Sequence, residues 1–379
     1  MTWATGSGSS SPGEPGANNT QRKRTQMETK VLKPDEAALS LAAELLRAGQ
    51  LVAFPTETVY GLGANALEPE AVLSIFAAKG RPADNPLIVH VWRREQLPAL
   101  CEVTPLAERL MDAFWPGPLT LLLRRTALVP DCVTAGLPTV AVRMPSHPVA
   151  AAMLKACDLP VAAPSANLSG KPSPTAAAHV LRDMAGRVPL ILDGGACEVG
   201  VESTVLDISG ERPCILRPGG VTQGMLEAVI GPVDLAGSIL RPLKEGEKAL
   251  SPGMRYRHYS PDGQVTLVTG KTEQAVTKAL RAVYEQAKGN GHRACVLCFT
   301  EHMAALRDCE PHDLGSRDDP AQVAHRLFDL LRRLDDEHMD VIFSEVVAPE
   351  GVGLAVMNRL GRAASFHTLE AETVLKQAD

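Results

Sequence analysis

The sequence predicts two α/β units, a larger one built on a mixed sheet and a smaller one built on a parallel sheet. Three observations carry this. Short β-branched and leucine-rich runs alternate with helical patterns from Val31 onward. Proline usage changes along the chain, with 21 of the 29 prolines between Pro34 and Pro232 and 6 after residue 235. At 379 residues the chain has length for two domains at ~150 residues each.

The elements follow in order. Residues 1–30, rich in Gly, Ser, Pro and Asn, read as a disordered tail without the apolar stretch of a secretory signal. A first unit, 31–235, opens with a helix signalled by Pro34 and Asp35 and stopped by Gly49. The strand LVAFP comes next, then the helix EPEAVLSIFAAKG ending at Gly80, and the strand PLIVHVW. A helix around Leu106–Phe114 precedes the strands LTLLL and TVAVR, and a helix around Val149–Cys157 precedes LPVAAP. A helix near Thr175–Met184 and the strands PLILDGG, STVLDI and PCILRPG complete the unit. Residues 236–263, charged and then rich in Pro and Gly, read as a linker. In 264–379 the runs VTLV, ACVLCF and DVIFSEV alternate with helices at Lys271–Lys288, Pro320–Leu334 and Val352–Ala364, the spacing of a parallel sheet.

Composition removes several function classes. The formal charge of −6 disfavours a surface that grips nucleic acid, which needs a basic face. No apolar run approaches the ~20 residues of a membrane span. Eight cysteines are too sparse for a disulfide scaffold, which makes the cytoplasm the expected compartment. The single CxxC, Cys295 and Cys298, lies in an alternating run and reads as core strand rather than zinc site.

Four clusters can carry chemistry. FPTETVYGLGANA places Thr56, Thr58 and Tyr60 beside Glu57, and its degenerate GxGxxA lacks the acidic residue a dinucleotide site needs, because position 86 is proline. AAKGRPADNPL places Lys79, Arg81 and Asn85 within seven residues at a helix end, where they complement the helix dipole or clamp an anion. His90 follows in the next strand. APSANLSGKPSPT supplies Ser165, Asn167 and Ser173 after a strand but is no P-loop, since Pro172 replaces the required hydroxyl residue. ESTVLDI and ILRPG supply Ser203, Thr204 and Arg217, and TVAVR ends in Arg143. Single strand-end arginines are often surface charges. Together the clusters describe an anionic small-molecule site, a nucleotide site in the first instance, on strand-end loops. Catalysis there would work by positioning and electrostatics, since no nucleophile elbow, HExxH or Ser-His-Asp order is present.

These motifs in this order resemble the YrdC domain family, and the later SPGMRYRHYSP with GLAVMNRLGRAAS resembles its longer Sua5 type. The resemblance covers roughly residues 32–370. It implies a twisted mixed-sheet catalytic domain plus a Rossmann-like C-terminal domain. It also implies condensation of L-threonine, bicarbonate or CO2, and ATP into L-threonylcarbamoyl-AMP and diphosphate. The product would pass to a downstream tRNA threonylcarbamoyl transferase that modifies adenosine 37, so stable tRNA binding is not expected. By motif, Thr58, His90, Arg143, Ala163 and Ser203 are expected around threonine, with Arg143 pairing its carboxylate. Lys79, Arg81, Asn85, Thr139, Ser165, Asn167, Ser173, Arg217 and Tyr256 are expected around ATP, with Mg2+ accompanying the nucleotide. Lys79 and Arg81 are implied as catalytic and are expected to face solvent until ATP binds. Tyr256, His258 and Tyr259 would turn the linker into a lid over a hydrolysis-prone product. Two other readings are weaker. An RNA-binding module lacks a basic stripe, and a hydrogenase maturation factor with a YrdC-like domain needs acylphosphatase and zinc-finger segments.

Overall fold

The computed structural model describes residues 27–241 and 259–378. β1 (Lys30–Leu32) leads into α1 (Glu36–Arg47), which starts where the Asp35 carboxylate accepts a hydrogen bond from the Ala38 amide at 2.8 Å. β2 (Val52–Phe54), β3 (Gly61–Asn65) and α2 (Pro69–Lys79) follow, and Gly80 ends α2 with the left-handed φ of 61° that glycine adopts freely. Next come β4 (Ile88–His90), α3 (Leu97–Leu100), α4 (Pro105–Phe114), β5 (Leu119–Arg124) and α5 (Asp131–Thr134). β6 (Thr139–Arg143), α6 (Pro148–Cys157), β7 (Val161–Ala162), α7 (Ala177–Met184) and β8 (Leu190–Leu192) continue the unit. β9 (Thr204–Asp207), β10 (Cys214–Arg217), α8 (Gln223–Ile230) and β11 (Asp234–Leu235) close it.

The eleven strands form one mixed sheet in the order β1-β8-β2-β3-β7-β4-β6-β5-β9-β10-β11. β4 and β6 run parallel with His90 opposite Arg143, whereas β7 lies antiparallel to β3 and β4. β5 runs antiparallel to β6 and parallel to β9. The ends of β4 and β6, the start of β9 and the end of β10 therefore lie at the same end of the strands. Side chains on one face of the sheet bury against α2 and α4, and Val52, Phe54, Leu190 and Leu192 on the other bury against α1 and α6.

The second unit is a five-stranded, all-parallel sheet. It comprises β12 (Gln264–Thr269), α9 (Glu273–Gly289), β13 (Ala294–Cys298), β14 (Pro311–Asp313) and α10 (Pro320–Asp336), then β15 (Val341–Ser344), α11 (Val352–Ala363), β16 (Thr368–Glu370) and α12 (Ala371–Ala378). Its order is β14-β13-β15-β12-β16. Cys295 and Cys298 are buried and free within β13, as a core strand requires.

Sequence patterning misses the strands β1, β3, β11, β14 and β16 and the helices α3, α5, α8 and α12. The segment GLGAN has no β-branched residue, yet it is a strand rather than a turning loop. A Cβ added at Gly63 would sit 2.8 Å from Val161 Cγ1, so glycine here permits close strand approach. β14 opens with Pro311 and is an edge strand, where a missing N–H is tolerated.

Candidate active site

The convergent strand ends line a cleft with Thr56, Thr58, Arg81, His90, Arg143, Ala163, Ser165, Asn167, Lys171, Glu202, Ser203, Arg217 and Tyr259. Its deep end is organised by a buried ion pair. Arg143 Nη2 lies 2.7 Å from Glu57 Oε1, and both side chains are almost wholly buried. The same guanidinium donates to Thr58 Oγ1 at 3.0 Å and to the Gly117 carbonyl at 3.2 Å. Thr58 Oγ1 in turn lies 2.8 Å from Thr56 Oγ1. Burial is the largest single influence on Glu57 and opposes its charge, but the Arg143 cation, its hydrogen bond and nearby backbone amides together hold the carboxyl below its usual range.

His90 stands beside Arg143 across the β4–β6 ladder. Burial first, and the Arg143 cation second, push its pKa down to about 3, so the imidazole is neutral at ordinary pH. Its Nδ1 is buried with no hydrogen-bond partner, an unsatisfied polar atom at the cleft wall. Ala163, whose amide donates to the Ile88 carbonyl at 2.9 Å, presents only a methyl group there.

The other end is richer in cations. Arg217 donates through Nε to the Ser203 carbonyl at 3.1 Å and through Nη2 to Ser203 Oγ at 3.2 Å, and Ser203 Oγ lies 2.8 Å from Thr120 Oγ1. Arg81 is half-buried and donates to the Asn85 and Pro86 carbonyls, both at 3.2 Å, while its Nε has no partner. Burial lowers its pKa to about 10, which leaves it protonated. Tyr259, with φ of 64°, is buried across this end with its ring 5.3 Å from Phe328 of α10.

The structure brings Thr58, Arg81, His90, Arg143, Ala163, Ser165, Asn167, Ser203 and Arg217 into this one cleft. Lys79 and Ser173 stand behind its wall. Lys79 corrects an expectation: it does not face solvent. It is buried, and its Nζ donates to the Ser165 and Asn167 carbonyls at 2.5 Å each. Dehydrating an ammonium is costly, so the chain supplies carbonyl oxygens in place of water. Burial also pulls its pKa well below the ordinary lysine value. Ser173 donates to Glu202 Oε1 at 2.5 Å. Asn85 and Thr139 lie outside the cleft lining. The Asn85 side chain is buried without a partner, and Thr139 begins β6, four residues before Arg143. Tyr256 and His258 lie outside the described residues, as does the tail up to residue 26.

Sequence reasoning names Glu57 and quotes the motif holding Glu202 without giving either a role, and it misses Arg332 and Arg359. The signal for the carboxylates was a Glu beside hydroxyl residues, between two threonines in PTET and before Ser203 and Thr204 in ESTV. For Arg359 it was two arginines, 359 and 362, beside Asn358 on a helix whose other residues are apolar or glycine.

Comparison with known proteins bears on this site. A family model described as telomere recombination matches residues 44–219, and one described as the threonylcarbamoyl-AMP synthase C-terminal domain matches 221–365. The chain is 45% identical over 337 residues to a threonylcarbamoyl-AMP synthase of Pyrococcus abyssi, covering 89% of this chain and 96% of that one. It is 46% identical over 339 residues to one from Bacillus subtilis, covering 89% and 95%. The crystal structure of P. abyssi Sua5 complexed with L-threonine matches with a TM-score of 0.83 at 43% identity, over 91% of this chain and 99% of that one.

Proposed function

The chain belongs to the Sua5 family of threonylcarbamoyl-AMP synthases, and from that premise we propose that its cleft joins L-threonine, bicarbonate or CO2, and ATP. The threonine amine attacks CO2 and loses a proton, giving a carbamate. A carbamate oxygen then attacks the α-phosphorus, the bond from that phosphorus to the β-phosphate bridging oxygen breaks, and diphosphate leaves. The reading rests above all on one observation: a buried Arg143 with two hydroxyls stands at one end of a cleft whose other end holds Arg81 and Arg217.

Arg143 is held by Glu57 and Thr58, so its position is fixed before a carboxylate arrives. His90 Nδ1 would hydrogen-bond threonine, the Ser203 hydroxyl, bonded to Arg217, would reach threonine where the two ends of the cleft meet, and the Ala163 methyl would leave room for the threonine side chain. Arg81 and Arg217, with Ser165 and Asn167, face the phosphates and stabilise charge as it builds on the phosphoryl oxygens. Lys79 acts at one remove, by fixing the Ser165 and Asn167 backbone. Asn85, Thr139, Ser173 and Tyr256 remain proposed nucleotide-side residues.

Glu57 and Glu202, the carboxylates at the cleft, are each engaged by an arginine, so they do not fit a metal. Among the described residues no cluster of His, Cys, Asp and Glu is arranged to hold one. Mg2+ would enter on the oxygens of ATP itself. The mixed anhydride product would pass to a tRNA threonylcarbamoyl transferase. All eight cysteines are free, in keeping with the reducing cytoplasm. No helix among the described residues is long and apolar enough to cross a membrane.

Diphosphate release tests the reading. It should require ATP, L-threonine and bicarbonate together, and release that persists without threonine would overturn it.

A further inference from the structure

Glu202 poses an electrostatic problem. Its carboxylate is buried beside Ser203, at the nucleotide end of a cleft that must accept anions. An uncompensated carboxylate there would repel a phosphate and draw Arg217 toward itself. The compensating charge comes from the second unit. Arg359 of α11, with no solvent exposure, donates through Nε to Glu202 Oε2 at 2.9 Å and through Nη2 to the Glu202 carbonyl at 3.3 Å. Its Nη1 donates to the Pro218 carbonyl at 2.5 Å, one residue beyond Arg217. Ser173 takes the remaining carboxylate oxygen. Arg359 thus ties together the chain segments bearing Ser203 and Arg217. A Cβ on Gly219 would lie 2.5 Å from the Glu202 carbonyl oxygen, which shows how tightly those segments already pack. Its guanidinium carbon also lies 5.8 Å from the Tyr259 ring.

We propose that Arg359 is a positioning residue for the nucleotide end of the cleft: it neutralises Glu202, whose carboxylate would otherwise repel the substrate phosphates. The C-terminal unit is then a required part of the active site's electrostatics. Its neighbours support the same contact. Asn358 Nδ2 donates to the Ile239 carbonyl at 2.6 Å. On α10, Arg332 pairs with Asp183 at 2.8 Å and donates to the Pro172 carbonyl at 2.5 Å, beside Ser173.

This assignment rests on the ATP-dependent reading above, so the test separates the two. ATP affinity is measured by titration calorimetry, and KM for ATP and for L-threonine by diphosphate release. Arg359→Met should weaken ATP binding about tenfold or more while the threonine KM moves less than about threefold. Adding Glu202→Gln should restore most of that affinity, which a merely structural contact would not do. Arg359→Lys keeps the charge, remains testable if the Met variant does not fold, and should hold ATP affinity within about threefold of the parent. Unchanged ATP affinity in Arg359→Met with a lowered Tm, no recovery in the double variant, or a tenfold loss in the Lys variant would each overturn the assignment. Failure of the parent to release diphosphate with threonine would sink the functional reading instead, because ATP affinity is measured separately.

Discussion

Among the described residues, two crevices at the strand ends of the α/β sheets differ in how their charges are settled. In the second unit the crevice beside β12 and β15 is lined by Lys271, Thr272, Glu273, His302, Arg317 and Glu345. Open parallel sheets commonly bind ligands in this place. Here Arg317 pairs with Glu273, and His302 reaches both Glu273 and Glu345, so the charges satisfy one another on the same unit. In the first unit the carboxylates are answered differently. Glu57 is met by Arg143 from its own sheet, and Glu202 by Arg359 from the other unit. The difference lies in burial: both arginine–glutamate pairs of the first crevice are almost wholly buried and so fix its wall, whereas Arg317 and Glu273 of the second are substantially exposed.

The largest expected effect follows from the buried pair. Arg143→Ala should cut activity by at least about 100-fold, in the range seen when a fixed electrostatic donor is removed. It should also cost about 3–5 kcal/mol of stability, because Glu57 is left buried without its partner. Activity loss with an unchanged Tm in this variant would show that the pair is not structurally coupled.

Lys79→Met comes next. Since Lys79 is a buried anchor of the Ser165 and Asn167 backbone, Tm and activity should fall together. A normal Tm with lost activity would mean that Lys79 swings out to touch ATP.

A third test uses pH. His90 is neutral in the folded protein down to about 3, whereas an unfolded chain protonates it near 6.5. Between those values the unfolded state binds the extra proton, so His90 costs stability as pH falls below ~6.5, at about 1.4 kcal/mol per pH unit. Its contribution is flat above ~7. His147 and His312 are also depressed by burial and act in the same direction, so the informative quantity is the difference between parent and His90→Asn. The variant should show a shallower slope between pH 6.5 and 5, and identical slopes would contradict the burial account.

The smallest effect is expected for Lys171, whose ammonium pairs with Asp262 at 2.6 Å on a partly exposed side chain. Lys171→Met should shift stability by less than about 1 kcal/mol.

Much of this was legible beforehand, for identifiable reasons. Strong hydrophobic periodicity located α1, β5, β13 and α10, and the clustered hydroxyls and cations of PTET, KGRP, APSAN and LRPG located the cleft. Three things were not legible. β3 depends on glycines that let strands approach, a tertiary effect that propensity does not encode. The burial of Lys79 depends on carbonyls ~90 residues away in sequence. The partner of Glu202 comes from another unit, 157 positions later in the chain, which local pattern cannot pair.

The account's central claim is that one cleft has an amino-acid end at Arg143 and a nucleotide end at Arg217. Equilibrium titration of L-threonine and of ATP, each against Arg143→Gln and Arg217→Gln, tests it most directly. Arg143→Gln should weaken threonine by about tenfold or more and spare ATP, while Arg217→Gln should do the reverse. Equal losses of both ligands in both variants would contradict the two-ended cleft.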